Sequence, residues 1–298
     1  MTRTNYILVI LYTLLICSTG VCQMPVTNVY ILDLKANEQK VLLYNPKLLT
    51  AFNIDGYNNQ PHFINDQELL ITSNFKSLGL TDILLLHLDH SEISRITATE
   101  ESEYSPTMMA SGMDFSLIRQ ELDDSEQVPQ VLWSYPLDRS EGGHQIIPDL
   151  VNIGYHAWVT HDKVALYLVG ERSELLVYDT KNKTSTHIAY DVGRCLKVDR
   201  LNRLYYTQDV AGRNTIRRYD IYVGSSKHIT EALDNQRDFD ILPNGHLISA
   251  KGSQLFTYIP NSSANWSLVT DLSGAGINHI SRIASSRGRL ALVTASPR

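Results

Sequence analysis

Cysteine is nearly absent from this chain, and two of its three copies, Cys17 and Cys22, fall within the first 22 residues. Without that leader Cys195 stands alone, so no internal disulfide can form and the fold must rest on its core. Basic clusters are missing too. Lys and Arg number 26 against 32 Asp and Glu, a formal charge of −6, and no stretch concentrates the positive charge that a phosphate backbone demands, which argues against a nucleic-acid partner. There is no Gly-x-Ser-x-Gly elbow, so a hydrolase domain of the α/β type is excluded. The ten histidines are scattered, no short-spaced His/Asp/Glu set marks a metal site, and no cofactor is expected.

Long apolar runs occur only at the N-terminus. Arg3 precedes the apolar run from Ile7 to Cys17, broken by Tyr12 and Thr13, and the short residues Ser18, Thr19 and Gly20 follow. That order matches the three regions of a secretory signal peptide, and an apolar core of roughly 11 to 16 residues is short for a span needing about 20. Neither Cys17, after Ile16, nor Cys22, after Val21, has the small preceding residue of a lipid-attachment site. The expectation is a signal peptide over residues 1–22 and one domain over 23–298, periplasmic or secreted, with no membrane insertion after cleavage.

What the chain does have is a cassette recurring about every 40 to 50 residues, the period of repeat architectures. Its first copy runs Asn58-Asn59-Gln60-Pro61-His62-Phe63, a turn at Asn65-Asp66, an apolar strand over 68–73, a turn around Gly79, a second apolar strand over 81–88 and a short one over 93–97. A second copy opens at Glu103-Tyr104-Ser105-Pro106. Near the C-terminus the segments 238–242, 246–250, 254–259 and 266–270 are separated by Pro243-Asn244-Gly245, Lys251-Gly252-Ser253 and a polar loop. Four antiparallel strands in about 35 residues make one propeller blade. Blade-opening strands fall near Pro61, Pro106, Ala157, Leu196, Phe239 and Arg282, and third strands over 81–88, 130–137, 174–179, 215–221 and 254–259. The last blade stops two strands short. Residues 29–34 and 40–43 match a third and a fourth strand, so the two chain ends are expected to build one blade together. The predicted fold is all-β, a six-bladed β-propeller of four-stranded antiparallel blades with its ring closed by N- and C-terminal strands.

Residues Pro61, Phe63, Asp66, Thr72-Ser73, Gly79, Asp82-Ile83 and Arg95-Ile96-Thr97, with the opening of the second copy, resemble the PD40 (WD40-like) repeat of the TolB-like propellers. From Ile153 onward other residues stand where that Pro would be, and only the strand rhythm continues. The resemblance implies an exported six-bladed propeller that serves as a binding scaffold. A fold does not specify chemistry, so it implies little about activity.

Loops before the innermost strands of a propeller line one mouth of its central channel. Sliding the blades into register on their openings places Asn58, Glu103, Gly154, Gly193, Gln236 and His279 at one level. Asn59, Tyr104, Tyr155, Arg194, Arg237 and Ile280 fall at the next, with His156 adjacent. The expected ligand site is Asn58, Asn59, Glu103, Tyr104, Tyr155, His156, Arg194, Arg237 and His279. This is a polar mouth suited to a protein or peptide of the cell envelope, a sugar-like ligand, or an acidic group held by Arg194 and Arg237. The expected function is a non-catalytic binding module. The alternative is a metal-dependent, lactonase-like or sugar-acting enzyme, with Glu103, Asn58 or Asn59, and His279 as its ligand set. Cys195 and the tryptophans Trp133, Trp158 and Trp266 are expected to pack between blades, and the acidic stretch 121–126 to be a solvated loop.

Overall fold

The computed structural model describes residues 24–77, 79–121 and 128–295. The expected signal peptide and most of the acidic stretch lie outside the described residues. Among the described residues no helix is long and apolar enough to cross a membrane.

Six four-stranded antiparallel sheets form the blades. Blade 1 runs from the inside outward through Asn58–Phe63, Glu68–Ser73, Asp82–His87 and Ile93–Arg95. Blade 2 is Ser102–Met108, Asp114–Gln120, Gln130–Pro136 and His144–Gln145, and blade 3 is Ile153–Trp158, Lys163–Leu168, Glu174–Asp179 and Thr184–Tyr190. Blade 4 is Val192–Val198, Arg203–Val210, Arg213–Asp220 and Ser225–Glu231, and blade 5 is Asp240–Ile241, Leu247–Lys251, Gln254–Tyr258 and Ser267–Asp271. Blade 6 takes its two inner strands, Ile280–Ser285 and Arg289–Ala295, from the C-terminal end and its two outer ones, Thr27–Ala36 and Val41–Leu48, from the N-terminal end. The closure is a continuous antiparallel ladder from Thr27 opposite Ala295 to Asp33 opposite Arg289.

Strand alternation explains why the middle strands are apolar on both faces. In Glu68–Ser73, Leu69 and Ile71 pack with Val29, Ala291 and Val293 of blade 6, while Leu70 packs with Phe115 and Leu117 of blade 2. Successive side chains point to opposite faces of a sheet, and each face here meets a neighbouring blade. The same pattern continues round the ring, and its last cluster joins Ile248 and Leu255 of blade 5 to Leu32, Leu290 and Leu292 of blade 6. Each fully buried Leu, Ile or Phe contributes about 1.5–3 kcal/mol. Cys195 sits among Tyr205, Ile216, Phe239 and Leu247 between blades 4 and 5. Its thiol donates to the Phe239 carbonyl at 3.1 Å, and burial pushes its pKa up to about 12, so it is an inert packing group. Trp133, Trp158 and Trp266 pack against the clusters between blades 1 and 2, 2 and 3, and 4 and 5.

One strand differs from expectation. Residues 238–242 were expected to open blade 5, yet only Asp240–Ile241 pairs within the sheet. The Asp238 carboxylate instead accepts the Ile283 N–H of blade 6 at 3.0 Å, and Asp240 accepts the N–H of Ser285 at 2.5 Å and of Ile241 at 2.8 Å. Side-chain acceptors here replace part of the ladder and rivet blade 5 to blade 6.

Candidate functional site

All inner strands but that of blade 5 carry a register shift. The shifts fall between Asn59 and His62, Tyr104 and Thr107, Ile153 and Tyr155, Val192 and Leu196, and Ile280 and Arg282. Such bulges re-aim side chains. In blades 1 and 2 the bulge is set by a residue before proline, Gln60 at φ 53° and Ser105 at φ 56°. Left-handed backbone is costly for a side-chain-bearing residue, and more so before proline. Hydrogen bonds hold it in place: Asn59 Oδ1 accepts the Gln60 N–H at 2.8 Å, and the Ser105 N–H donates to Gln60 Oε1 at 3.0 Å and Thr72 Oγ1 at 3.2 Å.

Below the entry mouth the channel narrows to a waist of about 100 Å³, lined by Gln60, His62, Ser105, Tyr155, His156, Arg194, Lys197, Asp238 and Arg282 among others. Arg282 Nη2 donates to the Tyr155 hydroxyl at 2.7 Å. Blades 6 and 3 stand opposite each other in a ring of six, so this bond is a bar across the channel. Burial works to raise the Tyr155 phenol pKa, but the Arg282 and Arg194 guanidiniums outweigh it and the net shift is down. For Asp238 burial prevails and raises the carboxyl, against the opposing pull of Arg282, Lys197 and Arg194. Lys197 Nζ lies 3.3 Å from Asp240; burial would lower its pKa, but Asp240 and its neighbours raise it. Burial lowers His62 to about 4 and His156 to about 3, so both are neutral at ordinary pH.

Beside the waist, on the entry face, a second cavity of about 540 Å³ is bordered by Gly193, Arg194, Asn235, Gln236, Arg237, Asp238 and Ser281. Arg194 and Arg237 are exposed here. Neither forms an ion pair or side-chain hydrogen bond among the described residues.

The expected site residues therefore divide. Arg194 and Arg237 converge on the entry cavity, and Tyr155 and His156 reach the waist. Tyr104 is half-buried and packs against the core between blades 2 and 3. Asn59 is turned to its own backbone, capping Gln60. Asn58 is fully buried and knits blade 6 to blade 1. Its Nδ2 donates to the Thr27 and Asn53 carbonyls, at 2.9 and 2.8 Å, and its Oδ1 accepts from Ser73 Oγ at 2.8 Å. Glu103 is fully buried between blades 1 and 2, accepting from Thr99 Oγ1 at 2.9 Å. His279 is exposed on a turn at φ 52°. Asn58, Glu103 and His279 thus occupy three separate settings and do not converge as a ligand set. Among the described residues no group of three or more His, Cys, Asp or Glu side chains could hold a metal ion.

Sequence reasoning passed over Arg282, Asp238, Lys197, Gln60 and Ser105. Equal offsets from the blade openings put Ile280 at the channel, and the bulge after it brings Arg282 there instead. Asp238 was assigned to a strand that begins only at Asp240.

No protein-family model matches this chain, and no curated protein matches it in sequence. Solved structures do match in fold. Against a putative TolB from Agrobacterium tumefaciens the TM-score is 0.64 at 10% identity, over 92% of this chain and all of that one. TolB from Acinetobacter baumannii gives 0.56 at 13% identity, over 90% of this chain and 64% of that one, so this chain spans just under two thirds of that protein. A chain of the nidogen/laminin complex gives 0.52 at 12% identity, over 90% of this chain and 98% of that one. The fold is that of the TolB-like six-bladed propeller.

Proposed function

We propose that this propeller is a non-catalytic interaction module, exported to the periplasm or beyond, that captures an acidic peptide segment of an envelope protein at its entry mouth. The observation that carries this is the pair of exposed guanidiniums, Arg194 and Arg237, over a cavity of about 540 Å³ at the channel rim. Guanidiniums free of internal partners are suited to bidentate capture of carboxylates. The bar between Arg282 and Tyr155 crosses the channel, which favours a segment lying on the mouth over one threading the ring. The similar propellers include one from an assembly of two proteins, nidogen/laminin, which supports a protein partner. The exported location rests on the leader pattern of residues 1–22.

The test is capture of partner from the source cells by tagged protein, with Arg194→Ala/Arg237→Ala as the comparison. Loss of capture by tenfold or more is expected, with the unfolding midpoint little changed because neither side chain makes an internal ion pair or side-chain hydrogen bond among the described residues. Undiminished capture by the double variant would refute the mouth as the site.

A further inference from the structure

The waist of the channel has donors to spare. Three polar atoms on residues that line it are buried without a partner: Ser105 Oγ, His156 Nδ1 and Arg282 Nε. Buried polar groups are otherwise satisfied, so each orphan calls for an occupant. The tautomer of His156 turns on where the Ser116 proton points. Ser116 Oγ lies 2.6 Å from His156 Nε2 and 3.2 Å from the Thr107 carbonyl, and it accepts from Trp158 Nε1 at 2.9 Å. Where the serine proton points to Nε2, Nδ1 carries the hydrogen; where it points to the Thr107 carbonyl, Nε2 donates and Nδ1 accepts. Arg282 Nε and Ser105 Oγ can donate in either case, and an occupant that satisfies both must accept.

Charge points the same way. Arg194, Lys197 and Arg282 face the waist with Asp238 as its one carboxylate, and Lys197 is held by Asp240. One positive charge is left over. A volume of about 100 Å³ suits a small occupant. We infer that the waist is a binding site for a single small carboxylate, gripped by Arg282 and Ser105. The site borders the peptide mouth, with which it shares Arg194 and Asp238, but the groups that grip the carboxylate are not those of the mouth. The same chemistry can come from a free anion such as formate or acetate, or from the end of a peptide chain.

Thermal unfolding of the whole protein in sodium formate and sodium acetate, against sodium chloride of equal ionic strength, tests the site. A saturable rise in midpoint above the chloride control is expected, with half-saturation at least tenfold weaker in Arg282→Lys. Ser105→Ala, which removes no internal side-chain hydrogen bond, should weaken it as well. Arg237→Ala, at the mouth only, should leave it unchanged while losing peptide capture, so the two readings fail separately. Tetraglycine competing with formate, where its C-terminal amide does not, would assign the carboxylate to a chain end; no competition would assign it to a free anion. No rise beyond chloride, or equal half-saturation in wild type, Arg282→Lys and Ser105→Ala, would overturn the proposal.

Discussion

Glu103 was expected at the channel mouth, and its burial between blades gives it a different consequence. One carboxylate oxygen accepts from Thr99, while Oε2 is buried without a partner. Burial raises its pKa from 4.5 to about 7; the Thr97 and Thr99 hydroxyls oppose this and the charge of Asp82 adds to it. The neutral acid is therefore the form the fold prefers. Its contribution is fully present below about pH 4.5 and is lost as pH rises through about 7, a change of roughly 3 kcal/mol by linkage. Glu103→Gln keeps a neutral side chain of the same shape. Denaturant unfolding from pH 4 to pH 8 should show the variant gaining on wild type as pH rises; parallel profiles would count against a raised Glu103. Residue types alone showed which groups could carry charge, and the structure sets Arg194 and Arg237 at the border of one cavity. Whether a carboxylate or amide faces water or a neighbouring blade was not, since Asn58 and Glu103 are polar in sequence and structural in place.

At the scale of the strand, rhythm was readable and height was not. The third strands lie where apolar alternation and turn residues place them, and Glu174–Asp179 matches to the residue. The inner strands do not keep a common height, because bulges insert residues at different points and flip which side chains face the channel. That is why Arg282 was missed. The closing strand Thr27–Ala36 has the clearest energetic signature. Leu32 is fully buried, lies opposite Leu290 and packs with Leu255 and Leu292. Leu32→Ala should cost about 2–5 kcal/mol from lost transfer energy and the cavity left behind, read from denaturant unfolding. A loss below about 1 kcal/mol would mean that the terminal strand is not integral to the ring.

The whole molecule is a ring with two unlike faces. The entry face carries the arginine-rimmed cavity, while the opposite face exposes Leu201, Tyr222 and Val223 on the turns of blade 4. Closure was legible from the arithmetic of incomplete strands at the two ends, and the ladder from Thr27 to Asp33 carries it, with an ion pair between Asp33 and Arg289. The bar across the channel was not legible, since it joins residues 127 apart in sequence through a geometry that only the closed ring creates. On the function proposed above, the entry face is the one that meets a partner. Site-specific photocrosslinking in the source cells tests it most directly, with the reactive group placed at Gln236 on the entry face or at Leu201 on the other. A discrete adduct from position 236, abolished by Arg194→Ala/Arg237→Ala and absent from position 201, is the expected result. An adduct from position 201 alone, or one from 236 that survives loss of both arginines, would contradict it.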